Sequence, residues 1–227
     1  MRIKTVYLVV LLLVATRYSG VLAQRPAPPP KPVPRIESTD DKSDDFLGTL
    51  SGNIYSNRFF RLTLTIPDDY VILNRAEISV FSKAGADMFK GGNIRNDKAF
   101  EDAVNNSVPL IMVAQKPPGS VGNAVFDVQV RKQSTGVAAN MVLAESIKLM
   151  TGTSKSVLSE SLRNTKFGSK VFVGVEFDTE LVGQKLKQRL FVTMHRGYAL
   201  TIGLTYTTKE SFSAFDDMLK GMTFDPK

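Results

Sequence analysis

The sequence holds one histidine, His195, and no cysteine. Thiolate nucleophiles, disulfides and Cys-ligated zinc are therefore outside its chemistry. A Ser-His-Asp arrangement has to use His195. The stretch His195-Arg196-Gly197 separates two strand-like segments, which places the imidazole in an exposed hairpin turn without an orienting partner. No G-x-S-x-G elbow accompanies it. Three carboxylates, Glu160, Glu176 and Asp178, fall on neighbouring strand-like segments, and two-carboxylate hydrolysis is the alternative they leave open. Cross-strand pairing of Glu176 and Asp178 with Lys185 and Lys187 competes with that reading. The acidic cluster Asp40, Asp41, Asp44 and Asp45 lacks the spacing of a calcium loop. Phe89-Lys90-Gly91-Gly92-Asn93 follows a helix instead of opening one, so it reads as a helix end and not a phosphate cradle. No catalytic residue, metal or cofactor is expected.

The binding vocabulary is richer. Lys185, Lys187, Arg189 and Phe191 alternate on one face of a strand, with Arg131 as a candidate neighbour. A basic stripe flanking an aromatic suits an acidic protein partner or a small anionic ligand. In the competing arrangement the aliphatic stems pack beneath a helix and the charges stay at its rim.

What positions these residues begins with the N-terminus. Arg2 and Lys4 precede the apolar run Val6 to Ala15, and Val21-Leu22-Ala23-Gln24 carries small residues at −3 and −1. This pattern is a secretory signal peptide, residues 1–23, cleaved after Ala23. The run is shorter than the ~20 residues of a membrane span. Gln24 to Arg35 is a proline-rich segment of extended character, and with the acidic stretch it makes residues 24–45 a tether. Residues 46–227 then form one domain. Secretion or export to a periplasm follows, and without cysteine no lipid anchor remains after cleavage. Removing Arg2, Lys4 and Arg17 takes three of the 29 basic residues, leaving 26 against 22 acidic ones; the net charge falls from +7 to +4. Those charges are spread along the chain, which argues against a nucleic-acid partner.

Within the domain, Phe60, Leu62, Leu64 and Ile66 alternate with polar residues as a strand that ends at Pro67-Asp68-Asp69. Asn74 and Glu77 start a helix that Gly91-Gly92 stops, and a second helix covers Asp97 to Asn106. Pro109 to Gln115 is uniformly apolar and expected at the sheet centre. Ala124 to Arg131 returns with Phe126, Val128 and Val130 inward, and a helix spans Val137 to Met150. Four strands follow, near Val157 to Arg163, Lys170 to Asp178, Lys185 to Met194 and Tyr198 to Thr207. A final helix is capped by Thr207 and Glu210 and carries the stripe Phe212, Phe215, Leu219.

Two registers can be argued further. A three-residue loop at His195-Arg196-Gly197 opposes Met194 to Tyr198, Val192 to Leu200 and Leu190 to Ile202, and so keeps the apolar set on one face. Val171, Val173, Val175 and Phe177 share a face with Leu186, Leu190 and Val192. Glu176 then lies on the other face near the lysines, beside a smooth patch of Gly174, Ala199, Thr201 and Gly203. The fold class is α+β: a largely antiparallel sheet of about six to seven strands between helices, an α/β/α sandwich.

Tyr55-Ser56-Asn57-Arg58-Phe59-Phe60-Arg61-Leu62 running to Ile66-Pro67, the hairpin Arg189 to Ile202 and the closing amphipathic helix resemble the PsbP-like superfamily. The aromatic residue that commonly follows the strand-ending proline is absent, with Tyr70 near its place. The resemblance implies the sandwich fold and non-enzymatic roles, such as those of an extrinsic photosystem II subunit, a Ran-binding nuclear protein and bacterial envelope proteins. It transfers no functional residue. The expectation is an exported, non-catalytic binding or assembly domain of the cell envelope; an envelope hydrolase is the alternative.

Overall fold

A computed structural model describes residues 43–89, 94–118, 120, 122–153, 155–181 and 183–224. The signal-like segment, the proline-rich stretch and Gly91-Gly92 lie outside the described residues. In chain order the elements are α1 (Ser43–Leu47), β1 (Thr49–Ser51), β2 (Ile54–Asn57), β3 (Leu62–Thr65), β4 (Val71–Ile72), α2 (Arg75–Phe89), α3 (Ile94–Asn105), β5 (Val108–Ala114) and β6 (Val125–Lys132). Then come α4 (Ala139–Thr151), β7 (Ser156–Phe167), β8 (Lys170–Leu181), β9 (Gln184–His195), β10 (Tyr198–Tyr206) and α5 (Lys209–Lys220). A seven-stranded sheet has the order β4-β5-β6-β10-β9-β8-β7, and β1-β2-β3 form a smaller sheet. Every pairing is antiparallel.

Both faces of the large sheet are covered. On the first face Phe126, Val128, Phe172, Phe191, Leu200, Ile202 and Leu204 meet Tyr55, Leu62 and Leu64 of the small sheet and Phe215, Met218 and Leu219 of α5. On the second, Val175, Phe177, Leu186, Leu190, Val192 and Ala199 meet α2, α3 and α4 through Phe89, Phe100, Val142, Leu143, Leu149 and Met150. A satellite cluster joins Leu73 and Ile78 to Met112, Ala114 and Val125. Burying each of these large side chains contributes about 1.5–3 kcal/mol. The α+β sandwich is thus the expected one, with helices on both sides.

The hairpin between β9 and β10 departs from the expected register. His195 pairs with Tyr198, Met194 with Ala199, Thr193 with Leu200, Val192 with Thr201 and Phe191 with Ile202. The loop is therefore Arg196-Gly197, and both residues have positive φ, 51° and 78°. Two consecutive left-handed residues match the right-handed twist of the flanking strands, which is why such turns dominate two-residue hairpins. The three-residue loop assumed that the apolar set must sit on one face. With both faces buried, splitting it carries no penalty: Met194, Val192 and Leu190 enter one core, Phe191, Leu200 and Ile202 the other. The slip also divides the smooth patch. Gly174 stays beside Glu176 opposite Phe191, whereas Ala199, Thr201 and Gly203 face the helices α2–α4.

Other differences are local. Phe59 to Arg61 form a turn in place of strand: the Phe60 amide donates to Asn57 Oδ1 at 2.8 Å and Arg61 has φ 51°. The uniformly apolar β5 lies next to the two-residue edge strand β4, not at the centre; its burial comes from the layers above and below. The cap of α5 is Thr208, whose hydroxyl accepts from the Ser211 amide, and not Thr207 with Glu210. The Asn74–Glu77 capping box at α2 is present in both directions.

Gly174 is the tightest point of the first face. A Cβ there would lie 2.6 Å from Phe191 Cδ1 and 2.9 Å from the Leu190 carbonyl oxygen. Gly174→Ala is expected to lower stability by about 1–3 kcal/mol through displacement of Phe191. Urea unfolding reads this as a lower midpoint at unchanged slope; an unchanged midpoint would refute the packing argument.

Candidate functional site

Past the ends of α5 and the small sheet, the first face of strands β7, β8 and β9 is left open. The two helical sides need apolar residues only where something covers them, and the sequence changes character at this boundary. On β8 the face runs Phe172, Gly174, Glu176, Asp178, Glu180; on β9 it runs Phe191, Arg189, Lys187, Lys185. The first members are buried and the last, Asp178, Glu180, Lys185 and Lys187, are exposed.

Glu176 sits at the boundary, with its side chain only 6% exposed. Its Oε1 accepts from Lys187 Nζ at 2.6 Å. Its Oε2 accepts from Arg189 Nε at 2.6 Å and from the Tyr206 hydroxyl at 2.7 Å. Burial pushes this carboxyl up, but the bonds from Lys187, Tyr206 and Arg189 outweigh it and hold the pKa down at about 2. Tyr206 moves the opposite way: burial and its bond to Glu176 raise the phenol above its ordinary value, so it stays a donor. Lys187 also reaches Asp178 Oδ1 at 2.9 Å. The Arg189 guanidinium lies over the Phe212 ring, 4.0 Å from its centroid, and Tyr206 packs against the same ring. Strands β8, β9, β10 and helix α5 thus converge on one ionised carboxylate.

The residues of the basic stripe meet different fates. Lys187 and Arg189 are brought together, but as partners of Glu176. Lys185 is exposed and its Cα is opposite Glu180. Phe191 is buried and packs edge-on against Phe167, centroids 5.0 Å apart, so it presents no surface aromatic. Arg131 does not join them. It pairs with Ala199, which pairs with Met194, and so points to the second face, where its charge acts on Glu145 of α4. Burial lifts the Glu145 carboxyl to about 7, against the opposing charges of Arg131 and Lys148.

The carboxylate trio does not make a hydrolytic pair. Glu160 is opposite Glu176 in register but exposed, and Asp178 is on Lys187. A two-carboxylate mechanism needs an ionised carboxylate beside a protonated acid in a shared cleft; Glu176 is held ionised, but by Lys187, Arg189 and Tyr206, while Glu160 opens to water. His195 is also not the exposed turn residue its sequence position suggests. It ends β9, half-buried, with Nε2 donating to the Phe60 carbonyl and Nδ1 accepting from Lys170 Nζ, both at 3.1 Å. Burial and the Lys170 charge lower its pKa, and it fastens the Phe59–Arg61 turn to the sheet. Tyr206 and Phe212 complete the Glu176 cluster and carried no sequence signal beyond strand and helix periodicity. No group of His, Asp or Glu suited to a metal occurs among the described residues, and none of their helices is long and apolar enough to cross a membrane.

No protein-family model and no curated protein matches the chain. Solved structures similar to it include the cyanobacterial PsbP of Synechocystis sp. PCC 6803, at 12% identity and TM-score 0.47 over 78% of this chain and 95% of that one. LpqN of Mycobacterium tuberculosis, involved in cell envelope biogenesis, is similar at 11% identity and TM-score 0.45, over 73% and 83%. The immunity protein TplEi of the Pseudomonas aeruginosa T6SS, solved with an "L" peptide, is similar at 12% and 0.43, over 77% and 98%. These likenesses concern architecture alone.

Because the folded-state pKa of Glu176 is below its ordinary 4.5, its contribution to stability is complete above that value and is lost as pH falls toward about 2. Glu176→Gln is expected to cost about 2–3 kcal/mol at neutral pH, less than a fully buried pair because Lys187 can turn to water. Urea unfolding across the acid range should show the two proteins converging below about pH 4.5. A gap independent of pH would contradict the assignment.

Proposed function

We propose that this chain is an exported, non-catalytic domain of the cell envelope that binds a protein partner through the open face of β7, β8 and β9. The observation that carries the reading is the charge arrangement of that face. Lys187 is matched by Glu176 and Asp178, Arg189 by Glu176, and Lys185 faces Glu180 across the strands. Among the described side chains of β8 and β9 on that face, a small anionic ligand finds no cation without an acid across from it. A protein surface with its own mixed charges can re-pair with each of these groups, which favours specificity over raw affinity.

Apolar anchorage supports the same reading. Val157, opposite Asp178 on this face, is 67% exposed. The outer edge of β7 is a poorer docking element, since its register shifts between Leu158 and Glu160 and again between Leu162 and Thr165. Such bulges break the row of unpaired amides and carbonyls that strand addition requires. The signal-like N-terminus and the proline-rich Gln24 to Arg35 support export on a spacer.

The reading predicts that the exported protein begins at Gln24, which N-terminal sequencing checks. It also predicts that a photo-crosslinking residue at Val157 captures one discrete partner in the native envelope. The same residue at Val80, equally exposed on α2, should not. Equal capture from both positions, or from neither, would dismiss the open face as the binding surface.

A further inference from the structure

The second face holds a buried acid with a different environment. Asp127 of β6 lies opposite Met112 of β5 and Gly203 of β10, beneath the helices α2 and α3. It is 1% exposed. Its Oδ2 accepts from Gln129 Nε2 at 2.9 Å, and its Oδ1 has no hydrogen-bond partner among the described residues. Burial pushes the carboxyl well above its ordinary range, opposed only by the Gln129 bond.

Beside this carboxyl lies a cavity of about 30 Å³, lined by Ser82 of α2, Val104 of α3, Ser107, Pro109, Met112, Asp127 and Gln129; the Pro109 carbonyl is taken by the Arg75 guanidinium. It runs inward from half-buried Ser82, Val104 and Ser107 to the fully buried acid. That volume suits about two water-sized groups. Ser107 donates its hydroxyl proton to the Ala103 carbonyl at 2.8 Å, which leaves its oxygen lone pairs as acceptors. Ser82 adds a second hydroxyl, and Asp127 is the sole ionisable side chain in the lining. The lining therefore offers oxygen acceptors and one carboxyl that becomes a counter-charge when it ionises.

We propose that this cavity is a binding site for a small primary-ammonium cation, the size of ammonium or methylammonium, with Asp127 as its counter-charge. An ammonium head supplies three N–H donors to Asp127 Oδ1 and the two serine oxygens, and satisfies the orphaned oxygen. A divalent metal fits poorly: Ca²⁺ takes six to eight oxygens, usually from several carboxylates, and this cavity holds one.

The test is a titration of the purified protein with methylammonium chloride, set against sodium chloride and tetramethylammonium chloride at equal ionic strength. Methylammonium should raise Tm along a saturating curve and move the Asp127 ¹³Cγ resonance from its acid to its carboxylate position. Sodium and tetramethylammonium, which lacks N–H donors, should do neither. Asp127→Asn keeps the side-chain shape and is expected to weaken methylammonium binding about tenfold or more. Equal stabilisation by the three salts, an unmoved Asp127 resonance, or undiminished binding by Asp127→Asn would overturn the assignment. The ¹³C measurement on the native protein decides the matter if the variant does not fold. The site is on the opposite face from the protein-binding surface, so either reading can fail without the other.

Discussion

The structure depends on one constraint: the seven-stranded sheet is covered on both faces along most of its width. In a sheet with one wet face, the period of two separates apolar from polar residues and the polar set needs no partners. Here both alternating sets of β6 and β10, and of β9 from Gln188 onward, largely leave water. Phe126, Val128 and Val130 enter the core beneath α5, while Val125, Asp127, Gln129 and Arg131 point toward α2, α3 and α4. A polar residue on such a strand must find a partner inside the protein or pay for its absence.

Glu176 and Asp127 show the two outcomes. Both are acids on strands, and both are nearly closed to solvent. Glu176 receives hydrogen bonds from four side chains, Lys187, Arg189, Tyr206 and, at 3.5 Å, Ser159, two of them cationic, and its pKa falls to about 2. Asp127 receives one, from a neutral amide, and its pKa rises. Burial acts in the same direction on both, so the difference is set by the number and charge of the donors. The first arrangement is self-contained and joins three strands to α5 through Phe212. The second is incomplete, and it lies beside open volume.

Much of the fold was legible because element periods are local properties. The strands from Lys170 onward, the helix ending at Gly152 and the stripe Phe212, Phe215, Leu219 follow from spacing and stop signals alone. Glu176 opposite the lysine-bearing side of β9 was also legible, since cross-strand parity needs only one correct pairing. Registers were harder. The choice between a two- and a three-residue turn at Arg196-Gly197 depended on whether one face or two was buried, which no single hairpin reveals. That one-residue difference sent Arg131 to the opposite face and split Gly174 from Ala199 and Gly203. With Phe126, Val128 and Val130 on one face of β6, Asp127 falls on the other, and on this strand that face is toward helices.

Function is to be sought where the covering stops or leaves a gap. Along β8 and β9 the first face changes from Phe172 and Phe191, which are buried, through the Glu176–Arg189 pair, to Asp178, Glu180, Lys185 and Lys187 at the surface. Each cation in this gradient has an acid across the strands, so the face is polar without being strongly charged. A surface of that kind stays soluble when unbound, because its ion pairs are hydrated. A partner docking on such a surface would have to satisfy each pair it desolvates or lose the cost of separating it, which is a source of selectivity. The Glu176 cluster fixes the inner end of this face by tying Lys187 and Arg189 to a single carboxylate. The position of Lys187, and of Asp178 through it, is therefore set by a buried carboxylate and not by the mobility of a long surface side chain.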